Sequence, residues 1–236
     1  MNSASCALAV TNVSLASAGR PRRLILDGVS FMVPPGQIVS LIGQNGAGKT
    51  SLLKIIAGLA RPSRGSVTVF RQRLGFMPEQ PAFLPTVSGW QWLVLTAGLL
   101  DLTRAQSHQE ASEWLQTVGL WSARHQPIGT YSKGMRQRLA FAQAALGHPQ
   151  LLLLDEPLDG LDPIGRQDLK RLILAARDRG ATVILCSHIL ADIAELSDRL
   201  GVLDQGRLRY FGDTAQFHNG QDLETTFVNF LRHVPA

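Results

Sequence analysis

The sequence predicts an α/β fold built around a parallel β-sheet. Short apolar runs alternate with longer segments of helical periodicity along most of the 236 residues, and this alternation is typical of parallel strands joined by helices. A glycine-rich turn follows one apolar run, and two adjacent carboxylates follow another. Because parallel strands end at a common edge of the sheet, both turns are expected to lie together where α/β proteins bind their ligands.

The first part of the chain indicates several strands and a helix. Residues 10–15 and 26–33 are rich in Val, Leu and Phe and have Gly, Pro and Asp around them, which predicts an antiparallel layer. Residues 38–42 form a compact apolar run typical of a buried parallel strand. Residues 51–58 have helical spacing and end at a glycine. Further strands are predicted at 66–70 and 74–77.

The later part of the chain suggests an inserted helical subdomain. Only helical patterns occur in residues 86–135, and residues 131–146 form a helix with Ser132 at its N-terminal cap. The core is therefore assigned to residues 1–85 and 136–212, and a helical tail to residues 213–236. Within the core, strands are predicted at 151–154 and 182–186 and helices at 167–179 and 190–197.

Composition places the chain among globular proteins. Hydrophobic residues make up 45% and charged residues 17% of the sequence, which excludes a disordered chain. The net charge of +5 comes from scattered arginines, so we interpret it as solvated surface and expect no nucleic-acid partner. No apolar stretch approaches the roughly 20 residues that a membrane helix needs.

The cellular location is predicted from what the sequence lacks. The N-terminal residues do not have the basic start and the long apolar stretch of a signal peptide. The two cysteines, Cys6 and Cys186, do not suggest a disulfide framework, so a reducing compartment is expected. We therefore expect a cytoplasmic protein that reaches a membrane only through a partner.

The first motif that indicates a function is a phosphate-binding loop. Its residues fit the pattern G-x-x-x-x-G-K-[ST]: Gly43, Gln44, Asn45, Gly46, Ala47, Gly48, Lys49 and Thr50. The glycines let backbone N–H groups turn toward phosphates, and the helix that follows adds its positive dipole end. Lys49 would bind the β- and γ-phosphates, the Thr50 hydroxyl would ligate Mg²⁺, and Ser51 is assigned to the same site. The motif predicts a site for ATP and Mg²⁺ rather than a glycine-rich turn that binds nothing.

An acidic pair follows the leucine run at residues 151–154. The buried strand would deliver Asp155 and Glu156 to the edge of the sheet beside the phosphate loop. Asp155 is placed to organise Mg²⁺, and Glu156 to orient or deprotonate the attacking water. A solvated acidic pair is the alternative, and the neighbouring phosphate loop disfavours it. His188 follows a third predicted strand and would lie at the same edge.

Three further segments narrow the class of P-loop protein. Residues 131–138, Tyr-Ser-Lys-Gly-Met-Arg-Gln-Arg, resemble the signature motif of ABC (ATP-binding cassette) ATPases. Residues 159–162, Asp-Gly-Leu-Asp, resemble the D-loop of the same family, and His188 matches its switch histidine. The order and spacing of the motifs resemble this family from about residue 7 to residue 212. The resemblance implies a RecA-like P-loop NTPase core with an antiparallel β layer and an inserted helical subdomain.

The resemblance also implies a site shared between two subunits, most simply a homodimer, that enclose two ATP molecules. Ser132 and Gly134 would contact the γ-phosphate held by the opposite subunit, and Asp162 would belong to the same nucleotide site. Glu156 would be the catalytic base, and His188 would contact the γ-phosphate and the water. Hydrolysis would loosen the dimer and drive a polytopic membrane subunit. The expected place is the cytoplasmic face of the inner membrane.

A narrower resemblance is to single-cassette ATPases of exporters. Within these, the sequence is similar to the ATPase of the copper-handling complex that serves nitrous oxide reductase maturation. A soluble ABC ATPase acting on ribosomes or nucleic acid is the alternative, but such proteins usually carry two cassettes, long coiled coils or zinc insertions. A P-loop kinase or GTPase would not account for residues 131–138 together with His188.

Two departures from the family pattern concern the nucleotide. Ser17 stands where an aromatic residue usually stacks on adenine, which predicts weaker ATP binding or broader base tolerance unless Arg20 or Arg22 supplies a stacking face. Glu79 occupies the slot of the Q-loop glutamine, with Gln80 beside it. Either of these two residues is placed to reach Mg²⁺ and the water.

Other departures concern loops and the dimer interface. The link between residues 70 and 74 is shorter than usual, which predicts a tight turn. Asp159 replaces a small polar D-loop residue and adds a negative charge near the expected dimer interface. Four apolar residues could line a groove for a helix of the membrane subunit: Phe83, Leu84, Trp90 and Trp92. The alternative is that they belong to the core of the subdomain.

Overall fold

The computed structural model describes residues 6–17, 23–70 and 73–233. The strands are β1 (Leu8–Ala16), β2 (Leu24–Val33), β3 (Ile38–Ile42), β4 (Arg64–Val69), β5 (Leu74–Met77), β6 (Leu151–Asp155), β7 (Thr182–Cys186), β8 (Arg199–Asp204) and β9 (Arg207–Asp213). The helices are α1 (Lys49–Ile56), α2 (Gly89–Gly98), α3 (Arg104–Thr117), α4 (Lys133–Ala145), α5 (Pro163–Asp178), α6 (Leu190–Leu196), α7 (Thr214–His218) and α8 (Leu223–His233). Short 3-10 turns lie at Trp121–Ala123 and Ile128–Thr130.

The core sheet has the strand order β5-β6-β7-β3-β8-β9. The first five strands in this order, which are β5, β6, β7, β3 and β8, are parallel to one another. Strand β9 pairs with β8 in the antiparallel direction. Every residue of β3, β6 and β7 is buried, because both faces of a parallel sheet are covered by other elements. The predicted α/β class with a parallel sheet is therefore confirmed.

Strands β8 and β9 lie in a part of the chain where the sequence patterns predict no particular element. β9 is half-buried along most of its length and does not alternate between the core and solvent, so it lacks the period of two that marks a strand. The turn between these strands has positive φ at Gln205 (46°) and Gly206 (80°). Gln-Gly is a weaker hairpin signal than Asn-Gly or Asp-Gly, so the sequence gives little indication of this hairpin.

An antiparallel sheet with the order β2-β1-β4 forms the second layer, as the sequence predicts. Helix α1 packs between this sheet and the core sheet. Leu52 and Leu53 of α1 are fully buried in a cluster that also contains Leu8 of β1 and Leu151 of β6. Each such leucine contributes roughly 1.5–3 kcal/mol by its burial. This packing fixes the start of α1, where the phosphate loop ends.

Helices cover the opposite face of the core sheet. Phe141 of α4 and Leu169 of α5 belong to one buried cluster with Leu152 and Leu154 of β6. Trp114 of α3 joins this cluster and packs against Phe141, with ring centroids 6.2 Å apart. Residues 86–135, all of which the structure describes, contain helices and turns but no strand. The division of the chain into core, subdomain and tail at the stated bounds stays a prediction.

The tail contains α7 and α8, and residues 234–236 lie outside the described part of the chain. The tight turn predicted between Phe70 and Leu74 includes residues 71–72, which also lie outside it. Among the helices of the described ranges, none is both long enough and apolar enough to cross a membrane.

Candidate active site

The phosphate loop joins β3 to α1, as the sequence predicts. Gly48 caps α1 with a φ of 104°, a left-handed conformation that favours glycine. A Cβ at this position would lie 2.7 Å from Leu26 Cδ2 and 2.8 Å from Ile25 O. The loop is therefore packed directly on β2, and a side chain at residue 48 would displace it.

Lys49 begins α1, and its side chain turns back into the loop. The residue is 7% exposed, and its Nζ donates to Gly43 O at 2.8 Å and to Gln44 O at 3.4 Å. The ammonium group thus sits among the backbone atoms that cradle phosphates in this motif. Thr50, the next residue, donates its hydroxyl to Asp155 Oδ1 at 3.2 Å, so the loop and the acidic strand meet as predicted.

Asp155 supplies a buried carboxylate beside the loop. The residue ends β6 and is 1% exposed. Burial raises the pKa of its carboxyl; the hydrogen bond from Thr50 opposes this, and the negative charge of Glu79 adds to it. A carboxylate in this position gains stability from a nearby cation. The oxygen donors of Asp155 and Thr50 are of the type that Mg²⁺ prefers.

The wider surroundings also fit Mg²⁺. In residues 6–17, 23–70 and 73–233, no three His, Cys, Asp or Glu side chains form a group that could hold a metal ion by themselves. Mg²⁺ sites commonly use one or two protein oxygens together with phosphates and water. Of the two candidate Q-loop residues, Glu79 lines the cleft beside the phosphate loop. Gln80 is not among the described residues that line this cleft. The geometry favours Glu79, and its contact with Mg²⁺ stays a prediction.

Glu156 has an unusual backbone conformation. Its φ of 47° lies in the left-handed region, which costs a residue with a Cβ about 1–3 kcal/mol. Its N–H donates to Cys186 O at 2.9 Å, and its Oε2 accepts from the backbone N–H of His188 at 3.2 Å. His188 Nδ1 lies 2.8 Å from the same oxygen. These contacts hold the carboxylate where β6 and β7 end, and strain of this kind is common at functional sites.

The electrostatics of Glu156 suit a base. Burial raises the pKa of its carboxyl, and this effect outweighs the charge and hydrogen bonds of His188 and the charge of Lys49, which lower it. The Glu156 side chain is 12% exposed, whereas the His188 side chain is 52% exposed. A carboxylate with a raised pKa accepts a proton more readily than an ordinary glutamate, and this property is compatible with the predicted role of Glu156 as a base.

One cleft of about 510 Å³ collects most of the predicted site residues. Its volume is in the range of small-molecule sites. Gly43 and Gln44 line an adjoining cleft, and Asp155 is buried. The residues that line the main cleft are Ile25, Asn45, Gly46, Ala47, Gly48, Lys49, Thr50, Ser51, Glu79, Glu156, Asp159 and His188.

Three other predicted nucleotide-binding residues lie outside the described lining of this cleft. Ser132 is exposed and caps α4, accepting a hydrogen bond from Met135 N–H at 3.2 Å, and Gly134 lies in the same helical turn. Asp162 caps α5 and accepts from Gly165 N–H at 2.6 Å, a role that by itself explains an aspartate here. Their contact with a nucleotide, which would be bound to a second subunit, stays a prediction.

Ser17, which stands where the family pattern has an aromatic residue, is hydrogen-bonded to the backbone of Arg23. Ser17 donates its N–H to Arg23 O at 2.8 Å, and its hydroxyl accepts from Arg23 N–H at 3.0 Å. Arg20 and Arg22, the alternative stacking residues, lie outside the described residues.

The residues of the expected groove are half-buried or exposed. Phe83 packs edge-on against Trp92, with ring centroids 5.4 Å apart, and Trp92 Nε1 donates to Gln143 Oε1 at 2.7 Å. Trp90 is also partly buried against the core, whereas Leu84 is 55% exposed. The three aromatic residues therefore pack against the core without being fully buried, Leu84 faces solvent, and the groove for a membrane-subunit helix stays a prediction.

Comparison with known proteins decides the family. The family model described as "ABC transporter" matches residues 26–159, which is more than half of the chain. The chain belongs to the ABC transporter ATP-binding family. The narrower resemblance to the nitrous oxide reductase copper-maturation ATPase stays a prediction.

Curated relatives of this ABC transporter ATP-binding chain include proteins named for bacitracin transport and lantibiotic transport. An ABC transporter ATP-binding protein of Nostoc is 38% identical over 84% of this chain and 62% of its own length. The bacitracin transport ATP-binding protein of Bacillus licheniformis is 34% identical over 78% of this chain and 63% of its own length. The lantibiotic transport ATP-binding protein of Streptococcus pyogenes is 32% identical over 88% of this chain and 91% of its own length. The chain thus spans about three fifths of the length of several relatives.

A solved structure gives the same result for the fold. The chain superposes on a protein described as the ATP-binding subunit of an ABC transporter with a TM-score of 0.85 and 28% identity, covering 95% of this chain and 99% of that one. The predicted P-loop NTPase fold is therefore confirmed.

Some residues that line the two clefts are not predicted as site residues from the sequence, among them Ile25 and Phe227. Ile25 of β2 lines the main cleft. Phe227 of α8 lines the adjoining cleft with Gly43 and His188. The helical spacing of Phe227 from Leu223 in the tail indicates an amphipathic helix but not the surface that it covers.

Proposed function

We propose that this chain is the ATP-binding and ATP-hydrolysing subunit of an ABC transporter. The contact between Glu156 and His188 carries the proposal, because it supports a base at the cleft: it holds a buried carboxylate beside the phosphate loop. Lys49 supports it by supplying a fixed positive charge among the backbone atoms of the loop. Phosphoryl transfer depends mainly on positioning and on electrostatic stabilisation of this kind.

Each residue has a defined part in the proposed reaction. Lys49 binds the β- and γ-phosphates. Glu156 orients the attacking water and accepts its proton, a role that contributes about 10²–10⁴-fold in rate. His188 holds the carboxylate of Glu156 and reaches toward the γ-phosphate. Thr50 and Asp155 would hold Mg²⁺, which neutralises charge on the phosphates.

The complete site is proposed to be shared by two copies of the chain. Ser132 is exposed at the N-terminus of α4, and Gly134 lies in the first turn of this helix. Helix N-termini bind anions through their free N–H groups and their dipole. In a head-to-tail homodimer this terminus would meet the γ-phosphate on the opposite subunit. Hydrolysis removes the shared phosphate, and the dimer loosens.

A polytopic membrane subunit is the proposed partner, and the cytoplasmic face of the cell membrane is the proposed location. Relatives named for bacitracin transport and lantibiotic transport support a transporter that works as an exporter. The alternative, a soluble ATPase acting on ribosomes or nucleic acid, has no comparable support in these names.

Affinity purification from detergent-solubilised cells tests this function. We expect the tagged chain to be recovered with a polytopic membrane protein, and the complex to hydrolyse ATP. A tagged ATP-binding subunit of a different transporter serves as the control for non-specific recovery of membrane proteins. Recovery with ribosomes in place of a membrane protein would contradict the proposal.

Nucleotide affinity should respond to the residue at position 17. An aromatic ring that stacks on a base is worth about 1–3 kcal/mol, which corresponds to about 5- to 150-fold in affinity. We expect Ser17→Tyr to tighten ATP binding within this range and to separate ATP from GTP more strongly. Equilibrium titration measures both affinities. Ser17→Ala is the control, because it removes the hydroxyl without adding a ring, and equal affinities in all three proteins would refute the assignment of position 17 to the base.

A further inference from the structure

An ion pair joins the signature helix to the D-loop within one chain. Lys133 Nζ lies 3.0 Å from Asp159 Oδ2. Lys133 is the first residue of α4, next to the cap Ser132, whereas Asp159 lies in the loop between β6 and α5. The negative charge that Asp159 adds to this loop is therefore paired with a cation on another element, and it is not simply a repulsive charge at the surface.

The side chain of Lys133 lies against the D-loop at Gly160. Gly160 has a φ of 63°, and a Cβ at this position would lie 2.7 Å from Lys133 Cε and 3.1 Å from Lys133 Cδ. Any larger residue at position 160 would push the lysine away. The side chain of Lys133 thus crosses the loop at its glycine and reaches the carboxylate beyond it.

The same loop is connected to the proposed catalytic base. The Asp159 N–H donates to Glu156 O at 3.2 Å, and Asp159 lines the cleft together with Glu156 and His188. Because Glu156 holds a left-handed φ of 47°, its orientation depends on the contacts that restrain the residues around it. Lys133 is separated from the Glu156 backbone by the side chain and amide of a single residue.

We propose that Lys133 is a positioning residue for Glu156 and acts through Asp159. The ion pair makes the orientation of the carboxylate depend on the place of α4, so a shift of the signature helix is transmitted to the base. This inference rests on the proposed ATP hydrolysis at Glu156. Lys133 itself touches no reacting atom in the proposed role.

Because the ion pair between Lys133 and Asp159 is exposed, its loss should affect the rate of hydrolysis and not the stability of the fold. The side chains of Lys133 and Asp159 are 54% and 44% exposed, and exposed ion pairs contribute little to folding. Variants of either residue should therefore fold normally. Misplacement of a reacting group is costly in rate even when it is small, so the effect should appear in kcat.

Steady-state ATP hydrolysis by the transporter complex tests the proposal. We expect Lys133→Met and Asp159→Asn each to lower kcat by about three- to fivefold while the KM for ATP stays within about 1.5-fold. Lys133→Arg should keep most of the rate, and the exchange of charges in Lys133→Glu with Asp159→Lys should recover part of it. Arg171→Met is the matched control, because it removes an exposed cation that is paired with Asp168 at 3.4 Å on α5, and neither residue lines the main cleft in the described part of the chain.

A second measurement does not need turnover. Hydrogen exchange at the Asp159 amide reports the bond to Glu156 O, and loss of the ion pair should accelerate this exchange through local opening. Faster exchange in Lys133→Met than in Arg171→Met supports the proposal, and equal exchange overturns it.

Other outcomes also overturn the inference. A raised KM with unchanged kcat would make Lys133 a nucleotide-binding residue, and a raised kcat would make the pair a restraint on catalysis. The proposed function fails separately, through a wild-type complex that does not hydrolyse ATP. Wild-type turnover with unaffected variants refutes only the role of Lys133.

Discussion

Glu156→Gln is expected to lower ATP turnover by about 10²–10⁴-fold, the contribution of a general base. The amide keeps the shape of the side chain and can still accept the hydrogen bond that His188 N–H donates at 3.2 Å. It cannot take a proton from water. ATP should therefore still bind, and the variant should accumulate as a nucleotide-bound dimer because the γ-phosphate is not removed.

The measurements are the hydrolysis rate, the equilibrium affinity for ATP, and the mass in solution with and without ATP. Glu113→Gln is the matched control, since Glu113 lies exposed on α3 and contacts Gln109 at 2.9 Å, away from the cleft. Wild-type turnover in Glu156→Gln would remove the assigned base. Loss of ATP binding would instead give Glu156 a structural role.

Lys170→Met is expected to lower the free energy of unfolding by about 3–5 kcal/mol, as in other proteins where one partner of a buried ion pair is removed. Lys170 of α5 and Asp192 of α6 are each 4% exposed, and Lys170 Nζ donates to Asp192 Oδ1 at 3.2 Å and to Glu195. Arg166 Nε lies 3.6 Å from Asp192 Oδ2, too far for a good hydrogen bond. Without Lys170, the Asp192 carboxylate would stay buried with poor compensation.

The charge state of Lys170 supports this expectation. Burial by itself lowers the pKa of the ammonium, but the hydrogen bonds and charges of Glu195 and Asp192 outweigh it, so the pKa is raised. For a cation with a raised pKa in the folded state, the contribution to stability is complete below the ordinary lysine pKa and is lost as the pH rises through the folded-state value. The loss in Lys170→Met should therefore be fully visible at neutral pH.

Urea unfolding measures the change, and two further variants separate its causes. Arg171→Met, which removes an exposed ion pair, should cost less than about 1 kcal/mol. Lys170→Met combined with Asp192→Leu should recover much of the loss, because well-packed apolar residues often replace a buried pair at little cost. Equal stability of Lys170→Met and the wild type would mean that Arg166 or solvent compensates the Asp192 carboxylate when Lys170 is absent.

The parts of the fold that were predictable have strong local signals. Strands β3, β6 and β7 are continuous apolar runs because they are buried on both faces, and such runs stand out in any sequence. The phosphate loop is equally visible, since backbone approach at Gly48 and charge at Lys49 allow few residue types. The meeting of Thr50 with Asp155 follows from the parallel sheet alone.

The parts that were missed depend on contacts between distant residues. The pairing of Lys133 with Asp159 spans 26 positions and has no local pattern, so the sequence shows the two charges but not their contact. The place of Phe227 beside the phosphate loop depends on how α8 packs against α6. A helical spacing predicts that a helix has an apolar face, and only the tertiary structure shows what that face covers.

The left-handed backbone at Glu156 has a consequence for protein engineering. Glycine is the residue best suited to a φ of 47°, and asparagine also tolerates it, yet neither could serve as the proposed base. Computational sequence design that scores only folding would therefore tend to replace the glutamate with a residue that relaxes the turn. A thermostabilised version of this chain should keep position 156 fixed and seek its gains elsewhere.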